Sequence, residues 1–214
     1  MLYNTAILLK ERVLIISMLI LDVSNSSKAP PEIYSHLSHI EGKLRSLNSD
    51  ESKLYMNYRM GEELFILSSQ PYYSILLAFY AKSLWPASDF PLKCSFHTVD
   101  DYYPEYNPER WDHPAIKAVR ESLQTIKKSK VQDFASPDMA KGIEIALMYA
   151  TDIFRTVTPL QQEVMQYYLT GITHKEIAKL TKRSVSTISK HVHASRVKQL
   201  TEIIDYVSEQ YELN

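Results

Sequence analysis

The run Gly171-Ile172-Thr173-His174-Lys175-Glu176-Ile177-Ala178-Lys179-Leu180-Thr181-Lys182-Arg183-Ser184-Val185-Ser186-Thr187-Ile188-Ser189-Lys190-His191-Val192-His193 decides the fold of the second part of the chain. Thr173 followed three residues later by Glu176 is a capping box. The hydroxyl accepts from the third helical amide while the carboxylate reaches back to the Thr173 amide. A short helix to about Leu180 follows. Ile177 and Leu180 are expected to point into a core, and Ala178 is small enough to let a second helix cross closely. Thr181-Lys182-Arg183 is the turn. Ser184 caps the next helix, with Val185, Ile188 and Val192 expected inside and Ser186, Thr187, Ser189, Lys190 and His193 outside. Upstream, Thr158-Pro159-Leu160-Gln161 repeats the capping logic with proline at the first helical position. Leu160, Val164 and Tyr168 supply that helix's apolar stripe, and Gly171 suits the left-handed residue that ends it.

Charge is distributed as unevenly as structure. Thr173 to Lys198 holds seven basic residues (Lys175, Lys179, Lys182, Arg183, Lys190, Arg196, Lys198) and one acid, Glu176, a balance of +6. The other 188 residues carry 17 basic and 24 acidic groups, so the formal net charge of −1 conceals a basic module on an acidic body. That imbalance is what a polyanion-binding unit produces. Short hydroxyls near the start of the helix from Ser184 allow close approach to base edges, and cations further on neutralise phosphates.

At 214 residues the chain has room for one large domain or two small ones. Val13 to Val23 is strand-like, and its apolar run from Val13 to Leu21 reads as a fully buried central strand. It loosely resembles a signal peptide, preceded by Lys10-Glu11-Arg12 and the apolar patch from Ala6 to Leu9, but is too short to span a bilayer. After Pro30-Pro31, Ile33, Leu37, Ile40, Leu44 and Leu47 form one helical face. Leu54 to Tyr58 and Leu64 to Leu67 suit a hairpin with Gly61 at its turn. Pro71 opens a helix to Leu84, and Leu92 to Val99 alternates as a half-buried strand. The order strand, helix, strand, strand, helix, strand is the split βαβ, ferredoxin-like arrangement. Two more helical patterns, Pro114 to Lys128 and Pro137 to Phe154, follow a loop over Asp100 to Pro108 that holds Tyr102, Tyr103 and Tyr106. The expected fold is therefore α+β: an acidic ferredoxin-like, cyclase-like domain over 1–150, then an all-α helix-turn-helix domain over 151–214 with a long last helix.

Gly171 to Ala178, followed by Ser186-Thr187-Ile188-Ser189-Lys190-His191, resembles the helix-turn-helix of LuxR-type regulators and of sigma-factor region four. Ser195 stands where LuxR-type modules carry an aliphatic residue, and the apolar pattern continues through Leu200, Ile203, Ile204 and Val207. The body is distantly similar to SatD-family proteins of bacteria, on Leu21-Asp22-Val23-Ser24-Asn25-Ser26, Gly61-Glu62-Glu63-Leu64-Phe65 and Trp111-Asp112-His113-Pro114-Ala115. That resemblance implies a cyclase-like domain in which Asp22 with Glu62 or Glu63 is the candidate ion or nucleotide site, although Glu62 replaces an aspartate.

The expected function is a DNA-binding transcriptional regulator that is not an enzyme and needs no cofactor or metal. Ser186, Thr187, Ser189, Lys190 and His193 are the base-edge or near-groove candidates, with Ser184 at the start of the same surface. Lys175, Lys182, Arg183 and Arg196 are the phosphate candidates. The expected partners are double-stranded DNA and a second copy of the chain, because one recognition helix reads only a half-site. The body is the place for dimerisation, signal sensing or a protein partner. Two alternatives remain: a cyclase-like, metal-dependent nucleotide-binding enzyme or sensor, and a protein-interaction adaptor with a retired helix-turn-helix. Four glycines and no GxGxxG or GxxxxGK[ST] argue against a Gly-rich phosphate loop. Cys94 has no disulfide or zinc partner, and His36, His39, His97 and His113 lack HExxH spacing. No membrane association and a cytoplasmic location are expected.

Overall fold

The computed structural model describes residues 15–48, 53–59, 62–69, 73–86, 89–101, 104 and 107–212. Gly61, Pro71, Tyr102, Tyr103, Tyr106 and the patch from Ala6 to Leu9 lie outside these residues.

Strand β1 (Ile15–Val23) is the axis of the molecule. It is followed by α1 (Glu32–Arg45), β2 (Leu54–Arg59), β3 (Glu63–Ser68), α2 (Tyr73–Leu84) and β4 (Leu92–Asp100). The sheet order is β2-β3-β1-β4-β5, where β5 is the short strand Phe134–Ala135. β1 pairs antiparallel with both β3 and β4, β2 pairs antiparallel with β3, and β5 adds in parallel to β4. A central strand covered on both faces has no polar side, which explains why Ile16 and Met18 to Leu21 are all fully buried.

The two faces of β1 go to different helices. Leu19, Leu21 and Val23 join a core with Ile33, Leu37, Ile40 and Leu44 of α1 and Ile75, Ala78 and Phe79 of α2. Ile16, Met18 and Ile20 face the opposite way, onto Ile116, Val119, Leu123 and Ile126 of α3 (Pro114–Ile126). Alternation with period two thus buries one strand in two cores. His113 caps α3 through Nδ1, which accepts from the Ala115 amide at 3.1 Å, and stacks on Trp111 at 5.0 Å.

Helix α4 (Lys141–Thr156) begins later than the expected Pro137. Asp138 sits at φ 52°, so the chain turns through a left-handed residue before it can wind. Residue 150 falls inside α4. The first core runs on without a break through Ile143, Leu147 and Ile153 into the carboxy-terminal helices α5 (Pro159–Leu169), α6 (His174–Leu180), α7 (Val185–Ala194) and α8 (Val197–Glu212). α5 packs on α2, and α8 packs on α4 and α2. Two glutamines of α5 finish the end of α2. Gln166 donates to the Ser83 carbonyl at 2.7 Å and Gln162 to the Trp85 carbonyl at 2.6 Å, satisfying groups that a helix C-terminus leaves without partners.

The continuous apolar pattern from Val185 to Val207 is divided by Arg196, at φ 57°. The last helix is therefore separate from α7, with Leu200, Ile204 and Val207 buried along it. Among the described residues, no helix is long and apolar enough to cross a membrane.

Candidate nucleic-acid interface

Local chemistry fixes the ends of α5, α6 and α7. Both capping boxes form. The Thr158 amide donates to Gln161 Oε1 at 2.8 Å, and the Thr173 amide donates to Glu176 Oε2 at 3.0 Å, each matched by the reciprocal bond to the threonine hydroxyl. Thr158→Ala removes one half of the first box and is expected to lower stability by about 1 kcal/mol, read as a fall in the urea midpoint at unchanged slope. Bonds from the Thr173 hydroxyl and amide hold the Glu176 carboxyl below its ordinary range. A depressed carboxyl stabilises the fold above its unfolded value, and the contribution disappears as pH falls through the folded value. Acid should therefore loosen the first turn of α6, and Glu176→Gln should remove that part of the pH dependence.

Gly171, at φ 79°, ends α5. Its amide donates to the Tyr168 carbonyl at 3.0 Å and the Ile172 amide to Tyr167 at 3.1 Å, the paired bonds of a Schellman motif. The turn after α6 repeats the motif without a glycine. Lys182 adopts φ 53°, its amide donates to Lys179 at 3.2 Å, and the Arg183 amide donates to Ala178 at 2.9 Å. A side chain in the left-handed region carries a steric cost that glycine avoids. Lys182→Gly is expected to raise stability by about 0.5–1 kcal/mol, visible as a higher melting temperature.

Ile177 and Ala178 of α6 are buried against Ile188 and Val192 of α7. The expected burial of Leu180 and Val185 is corrected: they are 57% and 44% exposed. Two packed helices bury only the positions around their crossing. Leu180 in the last turn of α6 and Val185 at the start of α7 both project past that crossing.

The opposite side of α7 is open. Ser184, Ser186, Ser189, Lys190 and His193 are exposed, and Thr187 is half-buried. Ser184 Oγ accepts from the Thr187 amide at 3.1 Å and lies 2.9 Å from the Ser186 hydroxyl and 2.8 Å from the Thr187 hydroxyl. One cap thus ties three hydroxyls together at the helix start. Ser189 Oγ lies 3.2 Å from His174 Nδ1, and the His174 ring sits 6.0 Å from that of Tyr168. His174, absent from the candidates above, links α5, α6 and α7, and its place at the first position of a capped helix is the signal the sequence holds for it.

Lys175, Lys179, Lys182, Arg183 and Lys198 are all exposed. Arg196 is placed differently: its guanidinium donates to the Thr156 hydroxyl at 2.6 Å and lies 3.5 Å from Asp152, both on α4.

The acidic candidates of the body are each engaged. Asp22 pairs with Lys127 at 2.5 Å, Glu63 takes a two-pronged contact from Arg120 at 2.6 and 3.0 Å, and Glu62 accepts from the Ser26 hydroxyl. Burial pushes the Asp22 carboxyl up, Lys127 opposes this, and the neighbouring Glu62 and Glu63 charges add to the rise. The three carboxylates are thus near one another. Among the described residues, however, no group of three or more His, Cys, Asp or Glu side chains is arranged to hold a metal. Cys94 is fully buried, and burial pushes its thiol up to about 12, which removes it from nucleophilic chemistry at neutral pH. No protein-family model, no curated protein and no solved structure matches this chain.

Proposed function

We propose that the chain is a sequence-specific DNA-binding regulator in which α6, the turn at Lys182 and α7 form a helix-turn-helix, with α7 entering the major groove. The observation that carries this reading is the exposed polar side of α7, Ser186, Ser189, Lys190 and His193, backed by a rigid buried side at Ile188 and Val192 and flanked by exposed cations. Such a helix presents hydrogen-bonding groups to base edges at fixed positions, while Lys175, Lys182, Arg183 and Lys190 meet phosphates. Arg196 is assigned to anchoring the module on α4 and not to the duplex. Exposed Val185 adds an apolar group of the kind that contacts a thymine methyl.

The first unit is proposed to be a ferredoxin-like domain. The order β1-α1-β2-β3-α2-β4 and the antiparallel array β2-β3-β1-β4 support this, with α3 and β5 as additions. Its role is to join two copies or receive a signal, so that two α7 helices reach half-sites about 34–36 Å apart.

Fluorescence anisotropy of a labelled random-sequence duplex, titrated with the full chain at two salt concentrations, tests the reading. Binding at low salt with a slope of log K on log salt of roughly −4 per protomer is expected for four phosphate contacts. Absence of binding at low salt would favour the adaptor reading instead.

A further inference from the structure

A cluster away from the proposed DNA surface has more positive charge than its protein partners balance. Asp133, just before β5, is fully buried and meets three cations. Lys93 Nζ and Arg155 Nη2 donate to Oδ1 at 2.8 and 2.7 Å, and Lys82 Nζ lies 2.8 Å from Oδ2. Burial alone would raise the Asp133 carboxyl, but Lys82 and Lys93 outweigh it and hold it below its ordinary value.

The three cations are not equivalent. Lys93 is wholly buried and donates to Asp133 and to the Ser129 and Gln132 carbonyls at 2.7 and 2.6 Å. All three of its ammonium protons have acceptors, so it has none left for a further ligand, and burial lowers its pKa from the ordinary lysine value. Lys82, only 7% exposed, has one other acceptor among the described residues, the Leu92 carbonyl at 3.0 Å. Its third proton has none there. Arg155 donates to the Lys130 carbonyl and to Asp133 and keeps its side chain 38% exposed. Lys82 and Arg155 therefore contribute two positive charges without a carboxylate of their own.

Both line a cavity of about 190 Å³ shared with Asp133, Trp85, Phe154 and Gln162, where α2, α4 and α5 meet. Roughly six waters fill such a volume. Cations left uncompensated in a recess are costly, and an anion that accepts charge-assisted hydrogen bonds removes that cost.

We infer that this cavity is a binding site for a small oxyanion of the phosphate class, held by the Lys82 ammonium and the Arg155 guanidinium with Gln162 at the rim. Asp133 fixes the cationic heads in place, and its single negative charge leaves the site net positive. A tetrahedral ion, or a phosphate ester carrying a few carbons, fits the volume. The site is independent of the DNA-binding reading.

Thermal unfolding of the full chain in rising inorganic phosphate, against chloride at equal ionic strength, tests the inference. A saturable rise in melting temperature of about 2–4 °C is expected in phosphate only. Lys82→Met and Arg155→Gln should each abolish that response, and Lys117→Met, on the exposed surface of α3, should retain it. Glycerol phosphate forms a parallel arm: a response at lower concentration than inorganic phosphate assigns the site to a small ester, and the reverse assigns it to the free ion. Broadening of the phosphorus-31 resonance of inorganic phosphate by the unsubstituted chain gives the same decision should either variant fail to fold. No saturable response, or an equal response in both cavity variants, overturns the site.

Discussion

Simultaneous replacement of Lys175, Arg183 and Lys190 by alanine is expected to weaken duplex binding by roughly a hundredfold at moderate salt and to reduce the salt slope by about 3. The effect is electrostatic. Each cation that neutralises a phosphate releases a condensed counterion, so each removal takes away nearly one unit of slope whatever the base sequence. All three side chains are exposed, and exposed substitutions away from caps and cores change stability by only about 0.5 kcal/mol. Circular dichroism and the melting temperature should therefore stay close to those of the parent. Lys182→Gly separates the two effects within one residue: it should weaken binding while raising stability, because it removes a charge and a left-handed side chain together. Unchanged affinity and slope in the triple variant would remove the assigned surface from consideration.

Asp133→Ala carries the largest expected loss of stability, about 3–5 kcal/mol, measured by urea unfolding. Asp133 and Lys93 are both completely buried, and the substitution leaves Lys93, Lys82 and Arg155 without their common anion. Breaking one side of a buried ion cluster costs more than replacing the cluster with apolar groups. Hence Asp133→Leu combined with Lys93→Met should be less damaging than Asp133→Ala alone. The pH dependence has a definite sign. A carboxyl held below its unfolded value stabilises the fold above that value and loses the contribution as pH falls through the folded one. The parent should therefore lose stability on the acid side of the ordinary aspartate range, and Asp133→Asn, already less stable at neutral pH, should lose less over the same range.

What the sequence made legible was local. The Thr158/Gln161 and Thr173/Glu176 boxes, the left-handed Gly171 and the cap at Ser184 each complete their chemistry within a few residues, and all are present. The helical spacing of Ile33, Leu37, Ile40 and Leu44 likewise places all four in the core. Unbroken apolar character from Ile16 to Leu21 marked a strand with no solvent face, apart from the small buried Ser17.

Features decided at a distance were not legible. β5 is two residues long and exists because Phe134 and Ala135 find Cys94 and Ser95, so no period could announce it. Asp133 draws its partners from residues 82, 93 and 155, none near it in sequence. Leu180 and Val185 fit an inward pattern, and only the crossing of α6 over α7 exposes them. Lys182 and Arg196 take left-handed conformations with no glycine to signal them. Asp22 and Glu63 are paired with Lys127 and Arg120, partners more than fifty residues away that no local spacing could announce.

The proposed function requires the outer side of α7 to meet the duplex. A photoreactive group attached at residue 186, with a control at exposed Tyr34 on α1, tests it directly when the full chain is irradiated with a random-sequence duplex at low salt. Covalent adducts to DNA from position 186 and none from position 34 are the expected result. Adducts from position 34 alone, or from neither position while the duplex remains bound, would contradict it.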